Sequence, residues 1–311
     1  MARNPRILYG ESGLVEITSR VQHGRFLLLP SPVANDLILG VLGRAQAKYG
    51  ALIHAFIFMS NHFHLLLGVE CAQQMSLFVG FLKGNIAKEL GRLYDWRENF
   101  WGRRYHSAPV GNSRDSDETQ IARLMYILAN GCKEGLVASP LDWPGVSSTK
   151  ALYRGERTMQ GTWYDRTAQF RAMKRGEHKL FPSTETVHLN PCPFLEERSA
   201  DEQREFIVDA VHQIEEQTAE IHRQNSTEPI GARAIRRRNP HDKPKEFKPS
   251  PAPKFHAATP EEYWTMHEAR KAKVEAYRDA ADRLKKGETD VSFPPGCFPP
   301  PLPYVGSRAP P

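Results

Sequence analysis

Residues 61–67 read Asn-His-Phe-His-Leu-Leu-Leu, so that histidine and apolar side chains alternate at the start of this segment. Side chains of a β-strand point to opposite faces in turn, which places His62 and His64 on one face and Phe63 and Leu65 on the other. The apolar face needs a cover, because exposed leucine and phenylalanine would lose the free energy of burial. The pattern therefore predicts a sheet that is packed on one side and polar on the other.

The first half of the chain alternates strand-like and helix-like segments. Apolar residues at every second position indicate strands, and apolar residues three to four positions apart indicate helices. The predicted strands cover residues 14–20, 52–59, 62–69 and 103–110, and the predicted helices cover residues 32–49, 75–94 and 117–130, with Gly131 ending the last. This order predicts an α+β fold, an antiparallel sheet with helices packed on one face and the other face free for a partner.

Beyond about residue 165 the chain becomes polar, charged and rich in proline. Ser199 and Glu202 have the spacing of a capping box and predict the start of a helix. A charged helix is predicted over about 260–286. The expected division is a catalytic domain over 1–165, a helical extension over 166–232, and a basic, proline-rich linker with a charged helix and extended tail over 233–311.

Composition sets wide bounds on function. The 311 residues include 42 Lys and Arg against 36 Asp and Glu, a net charge of +6 that fits a polyanion-binding protein without requiring one. The four cysteines form no CxxC pair, which argues against a zinc ribbon and a disulfide framework. The chain begins without the apolar run of a signal peptide and has no apolar stretch of about 20 residues, so a soluble, cytoplasmic protein is expected.

The two histidines of the third predicted strand are candidate metal ligands. Like-facing Cα atoms of a strand lie about 7 Å apart, so that both imidazoles can reach one ion. On this pattern alone, two hydrogen-bonded structural histidines are as good an interpretation as two metal ligands. No HExxH is present, so the pair is not the signature of a zinc protease.

The third predicted helix adds a tyrosine and an asparagine. At about 100° per residue, one stripe is apolar and faces the core, formed by Ile121, Leu124, Met125 and Leu128. Tyr126 and Asn130 lie nearly opposite this stripe, with Thr119 and Arg123. Because Tyr126 and Asn130 are i and i+4 neighbours, both side chains can address one point in space. Tyr126 is either a surface residue with a hydrated hydroxyl or part of a site.

Together these residues have the chemistry of phosphoryl transfer. Two imidazoles and an amide oxygen can hold a divalent ion with open positions, which suits Mg²⁺ or Mn²⁺ under a phosphate and leaves zinc open. Such an ion polarises a scissile phosphate. The Tyr126 hydroxyl could then attack phosphorus and form a covalent phosphotyrosine, which preserves the phosphodiester bond energy for rejoining.

The same residues stand in motifs that resemble a known family. Residues 59–67, Met-Ser-Asn-His-Phe-His-Leu-Leu-Leu, are similar to the M-x-N-H-hydrophobic-H-L-L motif of the HUH single-tyrosine transposases of small insertion sequences, in particular the REP-associated tyrosine transposases. The resemblance covers about residues 1–150. Its other segments are the tyrosine helix at 126–130, the segment after it at 135–148, the tryptophan and basic residues at 101–105, and the end of the first strand at 18–20.

This resemblance implies a ferredoxin-like HUH domain, with His62, His64 and Asn130 as ligands of Mg²⁺ or Mn²⁺ and Tyr126 as the nucleophile. It implies single-stranded DNA at a palindromic hairpin as the substrate, and a 5′ phosphate left on the tyrosine. Members include monomers and dimers, and a monomer is the weakly favoured expectation.

Three residues depart from the family pattern. Gly131 stands where proline is usual, Lys133 stands at the position of an arginine, and Glu16 stands where the first strand often carries histidine. The departures keep open a DNA-binding protein for repeat hairpins that no longer cuts. A metal-dependent phosphodiesterase that uses water is a third, less favoured hypothesis.

Four basic residues are candidate DNA contacts, namely Arg20, Arg103, Arg104 and Lys133. The two adjacent arginines lie among aromatic residues, Tyr94, Trp96, Phe100, Trp101 and Tyr105. This mixture favours backbone neutralisation with base stacking on single strands, while the alternative puts the aromatics in the core. The basic run from Arg233 to Lys248 is more typical of a solvated linker. His54 and His106 are predicted to be structural or surface residues.

Overall fold

The computed structural model describes residues 13–111, 117–244 and 252–300. Its first seven elements are β1 (Gly13–Arg20), α1 (Pro32–Tyr49), β2 (Leu52–Phe58), β3 (His62–Val69), α2 (Ala72–Leu93), β4 (His106–Pro109) and α3 (Glu118–Lys133). The predicted order of strands and helices is confirmed, and so is the α+β class. No helix in the described ranges is long and apolar enough to cross a membrane.

Local signals explain where α1 begins and ends. The Ser31 hydroxyl accepts a hydrogen bond from the Ala34 amide at 3.1 Å, and Pro32 occupies the first turn, where its missing amide hydrogen costs nothing. Gly50 ends the helix with φ of 68°, a left-handed conformation that glycine adopts without a Cβ clash.

The four strands form one antiparallel sheet in the order β2-β3-β1-β4. The register of β1 against β3 pairs Thr18 with His64 and Arg20 with His62. Because directly paired residues share a face, these four side chains lie on the same side of the sheet. This side is called the histidine face below.

Helices cover both sides of the sheet. The Trp101 ring contacts Phe63 at 5.6 Å between centres, and the Trp101 indole N–H donates to the Lys83 carbonyl of α2, so α2 lies on the apolar face. The Tyr126 ring of α3 lies 5.2 Å from the His64 ring, on the histidine face. The sequence predicted helices on one face only. α2, with α1 packed against it, lies on that face, whereas α3 lies on the other face.

The position of α3 has a physical cause. The histidine face also carries apolar residues, since Ile57 pairs with His64 and Ala55 pairs with Leu66. These side chains are fully buried, and α3 provides their cover while α6 packs on its other side. The helix is consequently buried on more than the predicted stripe.

Gly131 does not end α3, which continues to Lys133. A Cβ at Gly131 would lie 3.1 Å from Val137 and 3.4 Å from the Trp143 ring. The glycine therefore permits close packing of the segment that follows the helix. The turn out of the helix is made instead at Gly135, whose φ is 63°.

The remaining elements follow in chain order. They are α4 (Thr149–Tyr153), β5 (Thr158–Tyr164), α5 (Arg166–Lys174), β6 (Pro182–His188), α6 (Ala200–Asn225), α7 (Ala232–Arg236) and α8 (Pro260–Lys285). Both hydrogen bonds of the predicted capping box at Ser199 and Glu202 are present. Lys245 and Lys248 of the basic run, and the end of the tail, lie outside the described residues.

The hairpin of β5 and β6 was not predicted. Its two strands pair over their whole length and pack on α1, where the backbone of Thr162 approaches Gly40 so closely that a Cβ would lie 2.0 Å from the carbonyl oxygen. The predicted boundary at residue 165 falls between these paired strands, and the division into domains stays a prediction.

Candidate active site

The two histidines of β3 lie edge to face, with ring centres 5.1 Å apart and an angle of 81° between the ring planes. His64 is buried, and His62 is partly buried at the end of the strand. Strand alternation brings them together, as the sequence predicts.

Each imidazole is held through its Nδ1 atom. His62 Nδ1 lies 2.7 Å from Asn61 Oδ1, and His64 Nδ1 lies 2.7 Å from Glu16 Oε1. Since both partners are oxygen acceptors, each ring donates from Nδ1, which leaves Nε2 as the atom that can bind a metal. Within the described part of the chain, neither Nε2 atom has a hydrogen-bond partner. This orientation is the one that metal-binding histidines adopt.

His62 is suited to a neutral, ligating form. Burial lowers the pKa of His62 well below 6.5, and the neighbouring His64 and Arg20 act in the same direction. A metal ligand must be deprotonated, so this environment favours the binding form at neutral pH.

Tyr126 faces the histidines from α3. Its ring centre lies 5.2 Å from that of His64. Arg123 Cζ lies 4.2 Å and Lys133 Nζ lies 4.5 Å from the same ring centre, so two cations contact the phenol ring. Arg123, Asn130 and Lys133 are three, four and seven positions from Tyr126, which places them near it on one side of the helix.

The hydroxyl of Tyr126 is protonated at neutral pH. Burial raises the pKa of Tyr126 above 10.0, and the charges of Glu16 and Glu134 add to this effect. Arg123 and a hydrogen bond from Asn130 act in the opposite direction. A nucleophilic role would therefore require loss of this proton on substrate binding.

Asn130 carries a buried oxygen without a partner. The residue is 2% exposed, and its Oδ1 accepts no hydrogen bond from any described residue. A buried acceptor of this kind costs about 1–3 kcal/mol unless something binds it. Of the described residues, no three His, Cys, Asp or Glu form a metal cluster. This buried acceptor is the observation that fits Asn130 to the predicted donor set of two imidazoles and one amide oxygen, and the set stays a prediction.

Glu16 lies beneath the histidine pair and is bound on both oxygens. Oε1 accepts from His64, while Arg123 Nε and His256 Nε2 lie 2.8 Å and 2.9 Å from Oε2. Burial raises the pKa of Glu16, but His256, His64 and Arg123 outweigh this effect and hold it far below 4.5. Glu16 is a charged carboxylate in the folded protein.

An open cleft of about 770 Å³ passes over the histidine pair and Tyr126. A second cleft of about 800 Å³ shares Thr18, Arg20 and His106 with it and extends to Arg103 and Arg104. Both of these last arginines are exposed. The candidate DNA contacts thus line one continuous path, whereas Lys133 lies over the Tyr126 ring.

The aromatic residues around Arg103 and Arg104 contribute to the core. Phe100 is buried, and Tyr94, Trp96, Trp101 and Tyr105 are partly buried and pack against the core. The Tyr94 hydroxyl donates to the Leu29 carbonyl, which anchors its polar end. The two arginines are exposed at the rim, as the alternative expects, and base stacking by the partly buried rings stays a prediction.

Other predicted residues have simpler roles. His54 is buried, and its Nδ1 lies 2.7 Å from the Pro191 carbonyl oxygen, as expected of a structural histidine. His106 Nε2 lies 2.6 Å from the Pro253 carbonyl oxygen at the rim of both clefts. Glu16 was assigned no role from sequence, although strand alternation places it on the same face as Thr18. Nothing in the local sequence points to His256.

Residues 27–122 match the family described as "Transposase IS200 like". This match contains both histidines of β3 and ends shortly before Tyr126. No curated protein sequence matches the chain.

Two solved structures are similar to parts of the chain. One is a REP-associated tyrosine transposase bound to a REP hairpin, at 20% identity and a TM-score of 0.41, covering 50% of this chain and 87% of the other. The other is a candidate transposase from Deinococcus radiodurans R1, at 20% identity and a TM-score of 0.28, covering 40% of this chain and 95% of the other. TM-scores of this size do not establish a shared fold. The family match covers less than a third of the chain.

Proposed function

We propose, from the match of residues 27–122 to the IS200-like transposase family, that the chain is a metal-dependent single-tyrosine transposase that nicks single-stranded DNA at a hairpin. The observation that carries the proposal is the approach of the Tyr126 ring to His64 at 5.2 Å. A nucleophile and two imidazoles with outward Nε2 atoms then share one cleft.

In the proposed reaction, the Tyr126 oxygen forms a bond to the scissile phosphorus, and the bond from phosphorus to the 3′ oxygen breaks. The phenol proton passes to solvent, and the departing 3′ oxygen takes up a proton as it becomes a hydroxyl. The 5′ phosphate remains on Tyr126. One phosphodiester replaces another, so a second 3′ hydroxyl can reverse the step and join strands.

His62 and His64 would hold the ion through Nε2, and Asn130 would hold it through Oδ1. A bound Mg²⁺ or Mn²⁺ supplies polarisation of the scissile phosphate and neutralises its developing charge. Arg123 and Lys133 contact the Tyr126 ring and favour its negatively charged form. All these residues come from one chain, which supports a monomer.

The exposed arginines of the second cleft suit the DNA backbone. Arg103 and Arg104 would neutralise phosphates of a single strand that enters the site past Arg20. The hairpin as substrate rests on the resemblance of residues 59–67 and 126–130 to the REP-associated tyrosine transposases.

The test is formation of a covalent adduct. The full chain is incubated with Mn²⁺ and a pool of 3′-labelled single-stranded oligonucleotides that carry random flanks around a fixed hairpin. A labelled band at the mass of protein plus DNA is expected on a denaturing gel. Tyr126→Phe should abolish the band while retaining binding, and Tyr153→Phe is the matched control.

Three outcomes would count against the proposal. An adduct that persists in Tyr126→Phe would overturn the nucleophile. Cleavage without any adduct would favour the phosphodiesterase that uses water. Binding of the hairpin by the wild-type chain with neither cleavage nor adduct would favour a DNA-binding protein that no longer cuts.

A further inference from the structure

A segment near the C-terminal end of the chain lies along the edge of the sheet beside β4. The His256 amide donates to the Pro109 carbonyl at 2.8 Å, and the Gly111 amide donates to the His256 carbonyl at 3.0 Å. His256 and Val110 are thereby joined in a parallel bridge. The segment 255–258 therefore adds one β-bridge to the edge of the sheet.

The segment is fixed at its far end to α3. The Ala258 amide donates to the Thr119 hydroxyl at 2.7 Å, and Glu262 of α8 contacts the same hydroxyl. Thr119 and Glu262 are both buried. The tyrosine helix and the sheet edge thus hold this segment from two sides.

His256 reaches the catalytic cleft from this edge. The β4 residue paired with Glu16 is Ala108, whose side chain is a single methyl group. His256 Nε2 lies 2.9 Å from Glu16 Oε2, and both residues line the same cleft as His64. A small residue on β4 leaves room for this contact.

The carboxylate of Glu16 has a charged or polar neighbour at each oxygen. One oxygen accepts from His64 Nδ1, and the other oxygen contacts Arg123 and His256. A fixed acceptor at His64 Nδ1 sets which ring nitrogen carries the hydrogen and where Nε2 points. Glu16 stands where the resembling family often has histidine, and here an imidazole arrives from a distant part of the chain.

We propose that Glu16 and His256 are positioning residues, and that the C-terminal segment completes the catalytic site by locking the His64 ring with Nε2 toward the cleft. The proposal rests on the function proposed above only for the identity of the bound ion. The locked ring is a property of the metal-free protein and is tested there.

The first measurement is the protonation pattern of His64, read by ¹⁵N–¹H NMR of side-chain histidines in the metal-free full chain. The wild type should show the hydrogen on Nδ1. His256→Leu and Glu16→Gln should give a mixture of the two forms. His256→Gln, which can still donate to Glu16, should restore the wild-type pattern. His267→Leu on α8 is the matched control and should change nothing.

The second measurement is Mn²⁺ affinity without DNA, followed by electron paramagnetic resonance of free Mn²⁺. Loss of a carboxylate that orients a ligating histidine lowers affinity about 10-fold or more, and we expect this for Glu16→Gln and His256→Leu. His256→Gln should stay near the wild type. Thermal unfolding of each variant separates this effect from loss of fold.

The result that would overturn the proposal is an unchanged His64 pattern in His256→Leu with the fold intact. Higher Mn²⁺ affinity in His256→Leu would also overturn the proposal, because the C-terminal segment would then obstruct the metal site instead of completing it. Suppose that the wild type forms no DNA adduct, while its His64 ring is locked and the lock is lost in His256→Leu. In that case the positioning role stands and the proposed function fails.

Discussion

Lys133 Nζ lies 4.5 Å from the centre of the Tyr126 ring. Because the lysine is exposed, it interacts with the tyrosine mainly through its charge and little through packing. A cation over a phenol ring contributes about 1 kcal/mol at a site of this kind, and it favours the phenolate further. The contact suggests for Lys133, predicted from sequence as a phosphate contact, a second role beside the proposed nucleophile Tyr126.

The charge of Lys133 should therefore matter to the rate of adduct formation. Lys133→Met should slow single-turnover adduct formation about 3- to 10-fold, and Lys133→Arg should stay close to the wild type. Lys88→Met, at an exposed lysine of α2, serves as the control. Equal rates in Lys133→Met and the wild type would remove the proposed effect on Tyr126.

Asn130 should separate metal binding from stability. Asn130→Ala removes the buried oxygen that has no described partner, so the free energy of unfolding without metal should change by only about 1 kcal/mol. Mn²⁺ affinity should fall about 10-fold or more, while Asn130→Asp should hold Mn²⁺ at least as tightly as the wild type. Calorimetric titration with Mn²⁺ measures the affinity of both variants. Unchanged affinity in Asn130→Ala would remove it from the ligand set.

Glu16 should make stability depend on pH. Its folded pKa lies below the unfolded value of 4.5, so its contribution is fully present above that value and is lost as pH falls below it. Glu16→Gln should destabilise the protein by about 3 kcal/mol near pH 7, because a buried charged network loses a partner. The difference from the wild type should shrink at acidic pH.

Urea unfolding across this pH range measures the effect, with Glu98→Gln at an exposed position as the control. A difference between Glu16→Gln and the wild type that stays constant from neutral to acidic pH would contradict it.

Gly131→Pro tests the path of α3. The resembling family usually has proline here, but this helix continues to Lys133. A proline inside a helix removes a hydrogen bond and clashes with the preceding turn, so a loss of about 3 kcal/mol is expected. Gly131→Ala should cost less, since better helix propensity offsets the contact with Val137. Thermal unfolding checks both, and a neutral proline variant would mean that the helix ends earlier.

Local patterns predicted the first half of the fold closely. Periodicity gave the bounds of α1 and β3 as the structure has them, because strong caps and strict alternation leave few alternatives. The same alternation placed His62 and His64 on one face, and i, i+4 spacing placed Tyr126 beside Asn130. These relationships span a few residues and depend on backbone geometry alone.

Contacts between residues far apart in the sequence could not be predicted from local patterns. The apolar stripe on α3 suggested one buried side, but α6 also packs on this helix, and Thr119 is buried against Ala258 and Glu262. The β5–β6 hairpin carries few apolar residues, so its pairing depends on close backbone contact with Gly40. The contact of His256 with Glu16 arises from docking of a C-terminal segment, for which no local pattern exists.

The place of His256 in the chain also ties the catalytic cleft to the order of synthesis. A nascent polypeptide displays His62, His64 and Tyr126 long before residue 256 leaves the ribosome. Until then, of the three groups that contact Glu16, only Arg123 and His64 are available. A ribosome-bound or prematurely terminated chain would therefore carry every ligand and the nucleophile without the last contact of the network. Translation itself would then delay completion of the proposed site until residue 256 has been synthesised.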